Sequence, residues 1–111
     1  MHDEKAALQR AKARLDLLSL YPEPVRIVVA PRLFRLPWFR RFDGYTAWWT
    51  ILLRDRRLLV DGDLVTHELC HVWQMQHRPL AMPLSYLVHG YLKNPYELEA
   101  GAAVTRTRPV P

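Results

Sequence analysis

Residues 66–74 read THELCHVWQ. On a helix of 3.6 residues per turn, His67 and His71 project about 40° apart, and Glu68 lies about 100° from His67 on the side of His71. The three side chains therefore share a face. Two imidazoles at this spacing can ligate one divalent ion, and a carboxylate beside them can act as general base, which is the minimal set of a zinc hydrolase. The opposite face carries Val65, Leu69, Val72 and Trp73, an apolar back to bury in a core while the polar front looks into a cleft. Cys70 is turned about 80° off the ligand direction and is expected to pack as a small hydrophobe.

Catalytic zinc usually takes three protein ligands and keeps a fourth position for water, so a further ligand must come from outside this helix. The downstream stretch GYLKNPYELEAGA offers Glu97 and Glu99, with His89 as an outsider; His77 is on the motif helix but turned away from His71. Glu97 and Glu99 lie about 200° apart on a helix and cannot both face one ion. Glu97 also fits a capping box, with Asn94 at the N-cap, Pro95 at the first helical position and Glu97 folding back on the Asn94 amide. If that were its role, Glu99 would be the better ligand.

HELCH followed some residues later by ELEA resembles the zinc peptidases of the gluzincin group, including the minigluzincins and the HtpX type. The resemblance covers about residues 45 to 104. In those families the third ligand is a glutamate three residues before a small residue and four before an aspartate that supports a ligating histidine. Laid on this chain, the pattern selects Glu97 as ligand with His67 and His71, makes Ala100 the small residue, and puts Gly101 where the aspartate is expected. The resemblance implies a zincin-like α+β fold, with a small antiparallel or mixed sheet packed on the active-site helix and helices flanking it. It also implies Zn2+ as cofactor, Glu68 as the base that activates water, and a peptide or protein substrate. Gluzincin-like sites add a tyrosine or histidine to stabilise the oxyanion, and Tyr86, His89, Tyr91 and Tyr96 are the candidates by position. An edge strand above the active-site helix pairs with substrate in peptidases of this shape. Tyr45 to Leu53 is either that strand or a central one.

Around the motif, apolar residues at near-helical period place a helix over 4–20, ended by Tyr21 and Pro22. The segment Val25 to Ala30 is short and β-branched and reads as a strand. YTAWWTILL and LLVDG, at 45–53 and 58–62, read as a hairpin turning at Asp55 and Arg56. Asp63 is the expected N-cap of the motif helix, which runs to about His77 before Pro79. A helical or irregular segment covers MPLSYLVHGYL, and a last helix runs from Asn94 and Pro95 to about Arg106.

The chain of 111 residues is expected to form a single domain, 1–111. A formal charge of +5, carried mostly by arginine, favours acidic partners only weakly. One cysteine excludes an internal disulfide framework. The charged N-terminus has no apolar signal region, and the longest uncharged stretch, about a dozen residues, is short of the roughly 20 that span a bilayer. A cytoplasmic protein without a transmembrane segment is expected. RLFRLPWFRRF could lie on a membrane surface or stack on nucleic acid, or pack over the sheet with its arginines in solvent. As a cleft wall it would suit an acidic peptide. Three functions follow: a zinc peptidase, a non-catalytic zinc-binding regulatory or interaction module, and a nucleic-acid-associated protein like the SprT-type peptidases.

Overall fold

The computed structural model describes residues 2–20, 22, 25–47, 49–90 and 94–108. Helix α1 is His2–Asp16, strand β1 is Arg26–Val29, β2 is Gly44–Ala47 and β3 is Thr50–Leu53. Helices α2, Gly62–His77, α3, Ala81–His89, and α4, Pro95–Thr107, complete an α+β arrangement. The sheet order is β1-β3-β2, with β3 parallel to β1 and antiparallel to β2. This is a small mixed sheet. Among the described residues no helix is long and apolar enough to cross a membrane.

The core is built where alternating and helical periods converge. Ile27, Ile51 and Leu53 from the sheet meet Ala7, Ala11 and Leu15 of α1, Val65, Leu69 and Val72 of α2, and Ala100 and Ala103 of α4. Small residues on α1 and α4 let both helices approach α2 closely. Cys70 is fully buried in this cluster, as its place on the wheel predicts. Trp73 is a correction to the apolar back: it is only half-buried and stacks on His77 at 4.5 Å between ring centroids.

The expected hairpin is displaced. β2 and β3 form the antiparallel pair, with Gly44 opposite Leu53 and Ala47 opposite Thr50, so the single strand read over Tyr45 to Leu53 is in fact two. Asp55, expected in the turn, instead accepts from the Arg57 amide at 2.9 Å and caps a short 3-10 helix, Arg56–Val60. The physical reason is that β3 already pairs on both edges and has no edge left for Leu58 to Val60.

Two helix boundaries also differ. α1 stops at Asp16; Ser19 takes a left-handed φ of 58° and the Leu20 amide returns to the Leu15 carbonyl, closing the helix before Tyr21, which lies outside the described residues. The N-cap of α2 is Asp61, whose carboxylate accepts from the Leu64 amide at 3.0 Å, and not Asp63. Asp63 is committed to Arg14 and Arg108, at 3.0 and 2.9 Å, with a carboxyl whose desolvation is outweighed by these two partners, which lower its pKa. The cap predicted for α4 is present, Asn94 accepting from the Tyr96 amide at 2.8 Å.

Candidate metal centre

Helix α2 presents His67 and His71 one turn apart, and α4 brings Glu97 across to them. His71 Nε2 is 2.6 Å from Glu97 Oε2, His67 Nε2 is 3.2 Å from Oε1, and the two Nε2 atoms are 3.1 Å apart. All three ligand atoms lie within 4.8 Å of one another, and the group could hold a metal ion. The fit is close. Ligands around a four-coordinate ion with bonds of roughly 2.1 Å stand roughly 3.4 Å apart, so these atoms need to open by only a few tenths of an ångström for most pairs.

The electrostatics show how strongly the three groups are coupled. Burial alone would raise the Glu97 pKa, but hydrogen bonds from His67, His71 and Tyr86 and the charge on His71 hold it well below the usual carboxylate range. Burial alone would lower the His71 pKa; the Glu97 hydrogen bond and the Glu68 and Glu97 charges outweigh it and the pKa rises.

The other candidates separate. Glu97 does not fold back as the third member of a capping box; its carboxylate is spent on His67, His71 and Tyr86. Glu99 is turned away and accepts from Gln74 at 2.7 Å. His77 donates its Nδ1 proton to the Trp73 carbonyl at 2.9 Å, and His89 is exposed at the end of α3. Of the four possible oxyanion donors, the structure brings Tyr86 to the centre, its hydroxyl donating to Glu97 Oε2 at 2.6 Å. Tyr96 lies in a separate depression with Trp73 and His77, and Tyr91 lies outside the described residues.

Three contributors escape a reading of the motif alone. Gln74, fully buried, accepts from His71 Nδ1 at 2.7 Å and gives its own N–H groups to Glu99 and to the Tyr96 carbonyl. With the Gln74 oxygen so directed, the Nδ1 proton is fixed and Nε2 is turned toward Glu97 and His67. Gln74 follows His71 by three positions on the same helix, and that spacing was a signal available in the sequence. The Thr46 hydroxyl of β2 lies 2.9 Å from both the Glu68 carboxylate and the Glu68 main-chain carbonyl, and its one proton is shared between them. Gly44 lets β2 pass close by, since a Cβ there would sit 3.2 Å from Glu68 Cγ.

Gly101 keeps the departure visible. Nothing lies within 4 Å of where its Cβ would be, and it lines a cavity with His67. That cavity, about 490 Å³, and a second of about 450 Å³ share Arg41, Phe42, Glu68 and Glu97, so they are two ends of one cleft past the ligand group. The arginine-aromatic stretch both packs and lines: Phe34 is buried, Phe39 meets Tyr45 at 5.2 Å, and Trp38, Arg41 and Phe42 form one wall of the cleft. No family model, curated protein or solved structure matches the chain, so a functional reading of this centre rests on its geometry and its motif.

Proposed function

We propose that this chain is a small zinc-dependent peptidase with a zincin-like fold, in which His67, His71 and Glu97 hold the ion and Glu68 is the general base. The observation that carries the reading is the convergence of two imidazoles and one carboxylate within 4.8 Å, in a cleft that Glu68 also lines. Two imidazole nitrogens and one carboxylate oxygen are among the ligand sets that catalytic zinc takes.

When bound, zinc supplies Lewis acidity to a water and to the scissile carbonyl. The chain's own residues do the rest. Glu68, aimed by Thr46, takes the proton of the attacking water and passes it to the leaving amine. The Tyr86 hydroxyl, which in this structure donates to Glu97 Oε2, would have to leave that carboxylate on substrate binding to donate to the oxygen on which negative charge develops. Gln74 holds His71 in one tautomer. β2, the edge strand beside α2, offers its outer edge to an extended substrate backbone.

The test is metal content followed by turnover. Protein purified without added metal should carry about one zinc per chain. Glu68→Gln should keep that zinc and lose peptide hydrolysis by at least about a hundredfold. Folded protein without zinc would reject the proposal. A second reading, a zinc-binding regulatory or interaction module, draws on the glycine at 101 in place of a supporting carboxylate; zinc-loaded wild type as inert as Glu68→Gln would favour it.

A further inference from the structure

The cleft has an uneven character. At the end beside His71 its walls are Trp38, Tyr45, Met75, Met82, Pro83 and Tyr86, a surface suited to a bulky apolar side chain. At the end beside His67 it is lined by Asp43, Asp63, Thr105 and Arg108. Arg41 belongs to both ends. Its guanidinium lies over the Trp38 ring at 4.8 Å and over Phe42 at 4.9 Å.

Arg108, the other arginine that lines this cleft, is already paired. Arg14 and Arg108 hold Asp63, and Arg54 holds Asp43. Arg41 has no carboxylate within ion-pair distance among the described residues. The two rings hold the guanidinium at the cleft wall while its N–H groups remain available, which suits it to receive a carboxylate.

We propose that the cleft selects peptide segments in which an acidic group accompanies a bulky apolar side chain, and that Arg41, packed on Trp38 and Phe42, is the residue that binds the acid. This rests on the peptidase reading of the same site, and it deepens that reading by naming the substrate class. A nucleic acid fits less well. It needs a row of cations along its phosphates, whereas this cleft offers one arginine, Arg41, without an ion-pair partner among the described residues.

Binding to the full-length Glu68→Gln chain, zinc-loaded, separates recognition from turnover. Fluorescence anisotropy is read with two labelled peptides that differ only as Glu or Gln beside a leucine. The Glu peptide should bind about fivefold more tightly, the ratio set by one partly exposed charged contact. Arg41→Ala should bring the Glu and Gln peptides to equal affinity, and Arg41→Glu should turn the preference toward a Lys peptide. Equal binding of the Glu and Gln peptides, a Glu preference that survives in Arg41→Ala, or no peptide binding would each overturn the proposal. Arg41-dependent, salt-sensitive capture of a single-stranded oligonucleotide in preference to the peptides would overturn it in favour of nucleic acid. An Arg41-dependent Glu preference in a chain whose wild type shows no hydrolysis would sustain the inference and sink only the peptidase reading.

Discussion

His71 is held at both ring nitrogens, by Gln74 at Nδ1 and by Glu97 at Nε2. Replacing Gln74 by Leu keeps the volume and removes the acceptor, so the ring is free to take the wrong tautomer. Zinc affinity should fall about 10- to 100-fold, read by competition with a chromophoric chelator. Glu99→Ala should cost less than Gln74→Leu, and Glu97→Ala should abolish binding; equal affinity in the two glutamate variants would reject Glu97 as the ligand. The metal-free centre also predicts a pH signature. Glu97, depressed below its ordinary value near 4.5, contributes stability that is present above that value and lost as pH falls through its folded pKa. His71, raised above 6.5, contributes stability that is complete below that value and lost as pH rises through its folded pKa. Thermal melts of the metal-free chain should therefore peak between pH 4.5 and 6.5. Glu97→Gln should flatten that peak. Added zinc should move the optimum above it, because the metal needs unprotonated imidazoles.

At the scale of elements, two glycines make opposite predictions. Gly101 sits inside α4 with open space at its Cβ position, so Gly101→Ala should gain about 0.5–1 kcal/mol from helix propensity and raise Tm with no change in zinc content. Gly44 sits where β2 crosses α2, and a methyl group added there would meet Glu68 Cγ and Leu64 Cδ1 at 3.2 and 3.3 Å. Gly44→Ala makes the Glu68 and Leu64 side chains give by a few tenths of an ångström, which shifts Glu68 relative to Thr46. It should cost about 1–3 kcal/mol by chemical denaturation and lower turnover more than zinc affinity. A Gly44→Ala chain with unchanged melting and unchanged rate would show that the strand is not what aims Glu68. That the glycine at 44 is there to admit a helix is legible only when the strand and the helix are seen to cross.

For the molecule as a whole, Arg14 ties three helices together. From α1 its guanidinium donates to the Val104 carbonyl and the Thr107 hydroxyl of α4, at 2.8 and 3.1 Å, and pairs with Asp63 of α2. Its side chain is 11% exposed, which strengthens these contacts relative to a surface ion pair. Arg14→Leu should lower stability by about 2 kcal/mol, a fall in Tm on the order of 10 °C for a domain of this size, while zinc content stays unchanged. Loss of zinc together with stability would mean that the packing of α1 sets the ligand geometry as well.

The motif helix, its apolar back, the α4 cap and the pairing of His67 with His71 were all determined by sequence, because each depends on residues within a few positions of one another. The hairpin was misplaced and Asp63 misassigned as a cap for the opposite reason: β3 finds its second partner in β1, and Asp63 finds Arg14 and Arg108, all distant in the chain. Local spacing left Glu97 and Glu99 both open, since either could face inward depending on how α4 is rotated against α2. Tertiary packing decided between them. Burying Ala100 and Ala103 against α2 fixes that rotation, which carries Glu97 to the imidazoles and leaves Glu99 to Gln74.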